Sequence, residues 1–393
     1  MKRVLISIVL LLSAAVAFGQ ANYGKANQAY VMYESERDKG TNIDLMYTYL
    51  VDSYKLFAAL AEDPSNTNIE GTKNRLRAMY PALLNGAIYY SDKRQPQKGL
   101  DCAAGYIDIP QLKVFRTDLF QRDAQYPSVV YYAATSAYAL HKKPQAIKYF
   151  NEFLSLEQQG VTLDEGQVKS SYVYLNMIYN SQKDYAEQEK ILEKAAKKYP
   201  VSLDFLYNLV NVHIATNNMA KLVNTIDRIL AIDPNNTQVL PIKARIMEKQ
   251  GNNEQALEAY GRLYAMNPNS IEIISGLARA NFNIATKIVN EGATIADDAQ
   301  YAVVRQRASQ YLMDAHDLFI KILQAEPTSV KYMQGLAGVY QFMDMDSEYE
   351  VMKQIINEGA SYATFSDKLT AYSAQPKRSD LASTSFASEA API

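Results

Sequence analysis

The sequence contains no tryptophan, one cysteine and only three histidines among its 393 residues. With the single thiol of Cys102, the chain cannot form a disulfide within itself, so its stability must come from packing. The histidines, His141, His213 and His316, are far apart in sequence, which argues against a shared catalytic or metal centre. The motifs HExxH, GxSxG, GxGxxG and the P-loop are missing as well. We therefore expect a protein that is not an enzyme and that uses no cofactor and no metal.

An excess of charge of one sign is also missing, since 40 basic and 42 acidic residues give a net charge of −2. This balance argues against nucleic acid or an anionic membrane as the main partner, because both attract strongly basic surfaces. The acidic stretch 344–348 resembles the start of a calcium loop, but Tyr349 stands where such a loop needs glycine. We interpret the stretch as helix-capping residues in a turn. Cys102 is interpreted as a small buried residue, with a reactive thiol as the alternative.

Long apolar runs are confined to the start of the chain. A basic head precedes an apolar run over 4–18, and the small residues Ala17 and Gly19 offer cleavage sites. Residues 1–19 are therefore predicted to be a signal peptide, with a membrane anchor as the alternative. About 15 apolar residues are few for a membrane span. We expect an exported protein of the periplasm or cell envelope of a Gram-negative bacterium, with no integral membrane segment in the mature chain.

What the sequence does contain is a regular repeat. Prolines that close apolar, helix-like segments stand at equal spacing at Pro200, Pro234 and Pro268. The period of about 34 residues lies in the range that is typical of proteins built from stacked helical repeats. A fourth such proline, Pro327, follows after a longer gap, which equals one period plus an insertion of about 25 residues.

The best-formed repeat unit spans residues 237–270. Two of its segments carry apolar residues at helical spacing and are joined at Gly251, which is free to adopt a left-handed conformation. Pro268 ends the second helix because it lacks an amide donor. The unit is therefore predicted to be a helical hairpin. One such hairpin cannot bury its own apolar faces, so it must stack on neighbouring hairpins.

These hairpins resemble the tetratricopeptide repeat (TPR) family. That family favours small residues at repeat positions 8 and 20, a large apolar or aromatic residue at position 24 and proline at position 32. The unit that starts at residue 237 meets these preferences with Ala244, Ala256, Tyr260 and Pro268. The resemblance implies an all-α fold, an α–α superhelix or TPR solenoid of about eight helical hairpins that covers residues 22–365.

The remaining domain organisation follows from this frame. We expect degenerate N-terminal helical repeats over 20–126, the TPR solenoid over 127–365 and a disordered tail over 373–393. The inserted residues, around 283–307, are predicted to lengthen one hairpin, with a turn at Gly292 and a capping residue at Asp297 or the next aspartate. Two interpretations of this long hairpin stay open: an arm that touches a partner, or a hairpin folded against its neighbours.

The resemblance also implies a binding surface, because repeat positions 2, 5, 9 and 12 of the first helix line the concave groove in TPR proteins. Candidate groove residues are Tyr131, Tyr138, Tyr207, Asn208, Asn211, Arg245 and Arg279. Of these, Asn211, Arg245 and Arg279 occupy position 9 of three successive units, and arginines can bind a carboxylate through two hydrogen bonds. The family's carboxylate clamp is not reproduced, since Val173 stands where it needs lysine. A generic solvated face is the alternative.

These features together predict an exported, non-enzymatic scaffold or adaptor. It would present a preformed groove to an extended peptide or a helix of another protein. The alternative is a glycan-binding or glycan-processing helical-repeat protein, whose hydrolytic form would need a pair of carboxylates at one cavity. No acidic pair stands out at consistent repeat positions. The sequence does not specify the partner, the pathway or the oligomeric state.

Overall fold

In a computed structural model of the chain, the structure describes residues 22–115 and 124–374. The predicted signal peptide and residues 375–393 of the predicted tail lie outside this part. The described residues form seventeen α-helices and three short 3-10 helices, and they contain no strand. The predicted all-α helical-repeat fold is confirmed. The described residues divide into two compact units, with the boundary between Pro200 and Val201.

The described part of the first unit contains eight α-helices that pair into four hairpins, and two short 3-10 helices, Ile109–Gln111 and Lys113–Phe115. The α-helices are α1 (22–39), α2 (Ile43–Glu62), α3 (Ile69–Asp92), α4 (Pro96–Asp108), α5 (Tyr126–Ala139), α6 (Lys143–Gln158), α7 (Glu165–Gln182) and α8 (Tyr185–Lys198). From α2 onward each helix packs against the next. Asp164 and Asp184 cap α7 and α8, because each side chain accepts a hydrogen bond from a backbone amide of the first helical turn.

Aromatic side chains supply much of the core of the first unit. Tyr90, Tyr106 and Tyr126 are among the largest fully buried side chains. The ring of Tyr80 stacks on that of Tyr106 with the centroids 4.4 Å apart. Cys102 is buried on α4 in the same unit, and burial raises the pKa of its thiol to about 12. The interpretation of Cys102 as a packing residue therefore agrees with its position.

The described part of the second unit contains four further hairpins and a terminal helix. These are α9 (Leu203–Ala215), α10 (Met219–Ile232), α11 (Leu240–Lys249), α12 (Asn253–Met266), α13 (Ile271–Gly292), α14 (Asp298–Ala325), α15 (Val330–Phe342), α16 (Asp346–Glu358) and α17 (Phe365–Ser373). The described residues thus hold eight hairpins. Gly251 joins α11 to α12 with a φ of 74°, the left-handed conformation expected from the sequence.

The inserted residues lengthen the hairpin of α13 and α14 to 22 and 28 residues. Asp297 caps α14, and its side chain accepts a hydrogen bond from the backbone amide of Gln300 at 2.8 Å. On α13, the ammonium nitrogen of Lys287 lies 3.7 Å from the carboxylate oxygen Oε1 of Glu254 on α12. On α14, Arg305 pairs with Asp344 in the turn before α16. These contacts favour the interpretation in which the long hairpin lies against its neighbours.

Within the described residues, none of the helices combines the length and the apolar character that a membrane crossing requires.

Candidate functional site

Side chains from three successive hairpins of the second unit converge on one pocket of about 390 Å³, here called the arginine pocket. Its lining residues are Arg245, Tyr260, Ile271, Glu272, Ser275, Arg279, Lys331 and Tyr332. They come from the first helices α11, α13 and α15 and from α12. Because equivalent positions of stacked repeats share one face, residues that are a full repeat apart meet here.

Close packing of α12 against α13 builds one wall of the arginine pocket. A Cβ atom added to Gly276 would lie 2.3 Å from the ring of Tyr260. Only a residue without a side chain allows the ring to approach the helix this closely. The ring in turn directs its hydroxyl to Glu248, to which it donates a hydrogen bond of 2.9 Å.

Arg279 is held in a dense hydrogen-bond network on this wall. Its Nε and one terminal nitrogen donate to the two carboxylate oxygens of Glu248 at 2.5 and 3.0 Å, and its other terminal nitrogen donates to the Ser275 hydroxyl at 2.6 Å. Hydrogen bonding to Glu248 raises the pKa of Arg279 above its usual range. Burial alone raises the pKa of Glu248, but the hydrogen bonds and charges around it, chiefly from Arg279, outweigh burial and lower that pKa.

Arg245 is placed very differently, because its ion pair with Glu272 is exposed. The side chains of Arg245 and Glu272 are 64% and 69% exposed, whereas those of Arg279 and Glu248 are 36% and 19% exposed. An exposed ion pair stabilises a protein by only about 0–1 kcal/mol. Arg245 can therefore exchange Glu272 for another carboxylate at little cost, whereas Arg279 is committed to Glu248.

A third cation, Lys331, also lines the arginine pocket. It is exposed at the start of α15, and its ammonium group lies 5.2 Å from the centre of the Tyr332 ring. Its positive charge helps to lower the pKa of Glu248. Glu248 and Glu272 offset the charges of Arg279 and Arg245, so Lys331 leaves the pocket with a net positive charge that favours an anionic group.

A second, mainly apolar pocket of about 420 Å³ opens beside the first, between α10 and α11, and is called the apolar pocket. Its lining residues are Met219, Leu222, Ile242, Arg245, Ile246, Lys249 and Gln250. Arg245 belongs to both pockets. A ligand that contacts this guanidinium group can therefore place one side chain in each pocket.

The structure brings Arg245 and Arg279 together, but the other candidate groove residues of the second unit do not line either pocket. Asn211 is exposed on α9. The hydroxyl of Tyr207 accepts a hydrogen bond of 2.6 Å from the Asn236 amide, and the Asn208 amide donates one of 2.8 Å to the carbonyl of Asp204. Tyr207 and Asn208 are thus engaged within their own helix and the turn that follows α10.

The two candidates of the first unit serve packing between helices. The ring of Tyr131 lies 5.3 Å from that of Phe153 on α6, and the ring of Tyr138 lies 4.8 Å from that of Tyr174 on α7. The Tyr138 hydroxyl also approaches the sulfur of Met177 at 4.0 Å. Both tyrosines are half-buried, so most of the ring surface is engaged within the unit.

The residues that shape the arginine pocket but were not among the candidates include Glu248, Glu272, Lys331 and Tyr332. The repeat frame contained a signal for three of them, because Glu248 stands at position 12 and Glu272 and Lys331 at position 2 of their units. Inspection of position 9 alone finds the arginines but misses the carboxylates that pair with them.

The described residues form a helical-repeat protein with a charged pocket, and comparison with known proteins identifies the repeat of one segment. Residues 179–246 match the family model described as tetratricopeptide repeat. This segment contains tetratricopeptide repeats, and the equal spacing of prolines continues beyond it to Pro268. No curated protein matches the chain at significant similarity.

Several solved structures resemble the chain weakly. A tetratricopeptide repeat protein from Parabacteroides merdae is 14% identical, with a TM-score of 0.31, and the match covers 71% of this chain and 98% of that one. The TPR2AB domain of yeast Sti1 in complex with pHSP90 is 12% identical, with a TM-score of 0.32, and the match covers 75% of this chain and 99% of that one. The structure of MamA MSR-1 C2 is 16% identical, with a TM-score of 0.35, and the match covers 49% of this chain and 95% of that one.

Proposed function

We propose that this chain is an exported, non-enzymatic scaffold that binds an acidic segment of a partner protein in the arginine pocket. Tetratricopeptide repeats commonly mediate interactions between proteins, which supports the general role. The particular observation behind the proposal is the convergence of Arg245, Arg279 and Lys331, from three successive hairpins, on one open pocket. Guanidinium groups bind carboxylates with charge-assisted hydrogen bonds, which are stronger than neutral ones.

The two arginines have different roles in this proposal. Arg279 and Glu248 form a rigid wall that keeps the pocket open, while Arg245 and Lys331 are exposed and contact the partner. Rigid binding groups lower the ordering cost of association, because less conformational freedom is lost on binding. The preformed wall therefore supports binding of an extended segment that is flexible before it binds.

Capture of partners from envelope extract tests the role of the arginine pocket. The mature protein is immobilised as wild type, as Arg245→Ala and as Arg262→Ala, and captured proteins are compared by quantitative mass spectrometry. Arg245→Ala removes a charge-assisted hydrogen bond of roughly 1.5–3 kcal/mol, so the Kd of a true partner should rise by about tenfold or more. Arg262 is the matched control, because it is an exposed arginine in an ion pair with Glu258 outside both pockets.

Partners that bind all three proteins equally would contradict the proposal. Binding that survives the double change Arg245→Ala with Arg279→Ala would instead direct attention to the long hairpin around 283–307. A glycan array with the same proteins covers the alternative function, since selective glycan binding without protein capture would favour it.

Export is tested on protein from its native cell. Residues 1–19 have the basic head, apolar run and small residues of a signal peptide, so the mature protein should begin after them. Mass spectrometry of the mature N-terminus measures this directly. An intact Met1 would contradict cleavage and favour a membrane anchor.

A further inference from the structure

We infer that Glu272 is an internal competitor for the binding site, and that the bound segment carries an acidic side chain next to an apolar one. The acidic side chain replaces Glu272 on Arg245, and the apolar side chain enters the apolar pocket. This inference rests on the proposed function and names the chemistry of the partner: an extended segment of another protein with these two side chains close together in sequence.

The first step is the contrast between the two carboxylates of the site. Glu248 is 19% exposed, accepts two hydrogen bonds from Arg279 and one from Tyr260, and is a fixed part of the wall. Glu272 is 69% exposed and is paired with an arginine that is itself 64% exposed. An incoming carboxylate can therefore take the place of Glu272 without breaking the wall. In the free protein, Glu272 already shows that Arg245 accepts a carboxylate in this position.

The second step is the shared position of Arg245. The apolar pocket is lined by Met219 of α10 and by Ile242 and Ile246 of α11. Arg245 and Lys249 also lie on α11 and line this pocket. An extended chain that crosses Arg245 directs neighbouring side chains to different sides, so one can pair with the guanidinium group while the next enters the apolar pocket. The acidic and the apolar residue of the ligand should therefore be adjacent in sequence.

The third step is the charge that surrounds the two pockets. Arg245, Lys249 and Lys331 are all exposed around them, and the charge of Arg279 is balanced by Glu248. Glu272 is the negative group that opposes an acidic ligand at close range. Replacing Glu272 with a neutral side chain should therefore strengthen the binding of an acidic segment.

The experiment uses the mature chain and four fluorescein-labelled peptides of eight residues with blocked termini. These four peptides carry Glu or Gln, followed directly by Leu or Ser, in an otherwise constant Gly–Ser background. Four further peptides place the two residues two positions apart and should bind more weakly, because both side chains then point to the same side. Fluorescence anisotropy measures each Kd. Blocked termini ensure that only the side-chain carboxylate is tested. The Glu–Leu peptide should bind most tightly, with a loss of about tenfold on Glu→Gln and of severalfold on Leu→Ser.

Variants assign each preference to one pocket. Arg245→Glu should reverse the preference, so that a matching Lys–Leu peptide binds better than the Glu–Leu peptide. Ile246→Ser should remove the preference for leucine and leave the preference for glutamate. Glu272→Gln should tighten binding of the Glu–Leu peptide by up to about fivefold, the factor expected for relief of a competing exposed ion pair. Glu258→Gln, which removes the partner of Arg262 outside both pockets, should leave the Kd unchanged.

Weaker or unchanged binding to Glu272→Gln would overturn the role of Glu272 as competitor. Equal binding of all four peptides, or no binding of any peptide, would overturn the inference as a whole. If envelope partners still depend on Arg245 in that case, the proposed function stands and only the ligand chemistry is wrong. Thermal melts followed by circular dichroism confirm that each variant is folded before its Kd is interpreted.

Discussion

The two units join successive hairpins by different kinds of contact. In the first unit, aromatic rings join successive hairpins, as where Phe150 on α6 stacks on Tyr174 on α7 with their centroids 5.2 Å apart. In the second unit, a half-buried ion pair with hydrogen bonds also joins successive hairpins, as where Arg279 on α13 reaches Glu248 on α11. Aromatic contacts mainly stabilise the stack, whereas charged contacts also leave groups that can exchange partners. The same repeat frame therefore supports aromatic packing between hairpins in the first unit and the charged arginine pocket in the second.

The largest expected effect tests the aromatic side of this comparison. Phe150 is fully buried, so Phe150→Ala leaves a cavity and removes the stacking on Tyr174. We expect a loss of about 3–5 kcal/mol in the free energy of unfolding of the first unit. Urea denaturation followed by circular dichroism measures it. Phe150→Leu is the control and should lose much less. A loss for the alanine variant far below this range would mean that the rings do not stabilise the stack.

A smaller effect is expected at the wall of the arginine pocket. The added methyl group of Gly276→Ala would lie against the Tyr260 ring, and overpacking of this kind typically costs about 1–3 kcal/mol. Gly261→Ala is the matched control on α12, because nothing lies within 4 Å of an added Cβ there. Gly261→Ala should raise the free energy of unfolding by up to about 1 kcal/mol, because alanine has a higher helix propensity than glycine. Equal effects of the two changes would contradict the close approach of α12 and α13.

The pH dependence of stability probes the electrostatic side. The pKa of Glu248 is lowered in the folded protein, so its contribution is complete above the unfolded pKa of about 4.3 and is lost as pH falls through the folded pKa. Glu248→Gln should lower the free energy of unfolding by about 1–3 kcal/mol at neutral pH, because Arg279 and Tyr260 lose the charged acceptor of their hydrogen bonds. The loss should shrink when unfolding is measured at a pH below that unfolded pKa. If Glu248→Gln lowered the free energy of unfolding equally at neutral pH and at the acidic pH, the charge of Glu248 would not be what stabilises its hydrogen bonds with Arg279 and Tyr260.

The smallest expected effect concerns Arg245. Its ion pair is exposed, so Arg245→Ala should change the free energy of unfolding by no more than about 0.5 kcal/mol, although it weakens partner binding. Chemical denaturation of this variant beside the wild type measures the difference. A stability loss as large as the one expected for Glu248→Gln would show that Arg245 belongs to the wall and is not available for exchange.

The hairpin arrangement was accessible from the sequence because it depends on regular signals. Prolines at a fixed spacing mark helix ends, and Gly251 marks a turn that needs a left-handed residue. The same frame also located the arginines, since residues one repeat apart meet in a stack. Asp297 was one of two aspartates expected to cap α14, and local sequence allowed either, because each could supply an oxygen to the first helical turn.

The exposure and the ion-pair partners of the site residues could not be predicted from the sequence in the same way. Position 9 identifies Arg245 and Arg279 as equivalent, yet one is exposed and the other is tied to Glu248. This difference depends on which neighbouring side chains are long enough to reach across the helices and on the close packing that Gly276 permits. For Tyr131 and Tyr138, likewise, ring packing against α6 and α7 decides how much of each ring remains at the surface.

The long hairpin of α13 and α14 has a consequence for how such a chain can change over evolutionary time. Its extra length lies beyond the part of α13 that carries Ser275 and Arg279, and the core of α14 continues into the stack through Phe319 and Leu323. Both helices have about 3.6 residues per turn. Loss or gain of whole turns on both helices therefore keeps each remaining side chain on its own face. The hairpin can thus be shortened or extended as an independent module while the register of the repeats on either side is preserved.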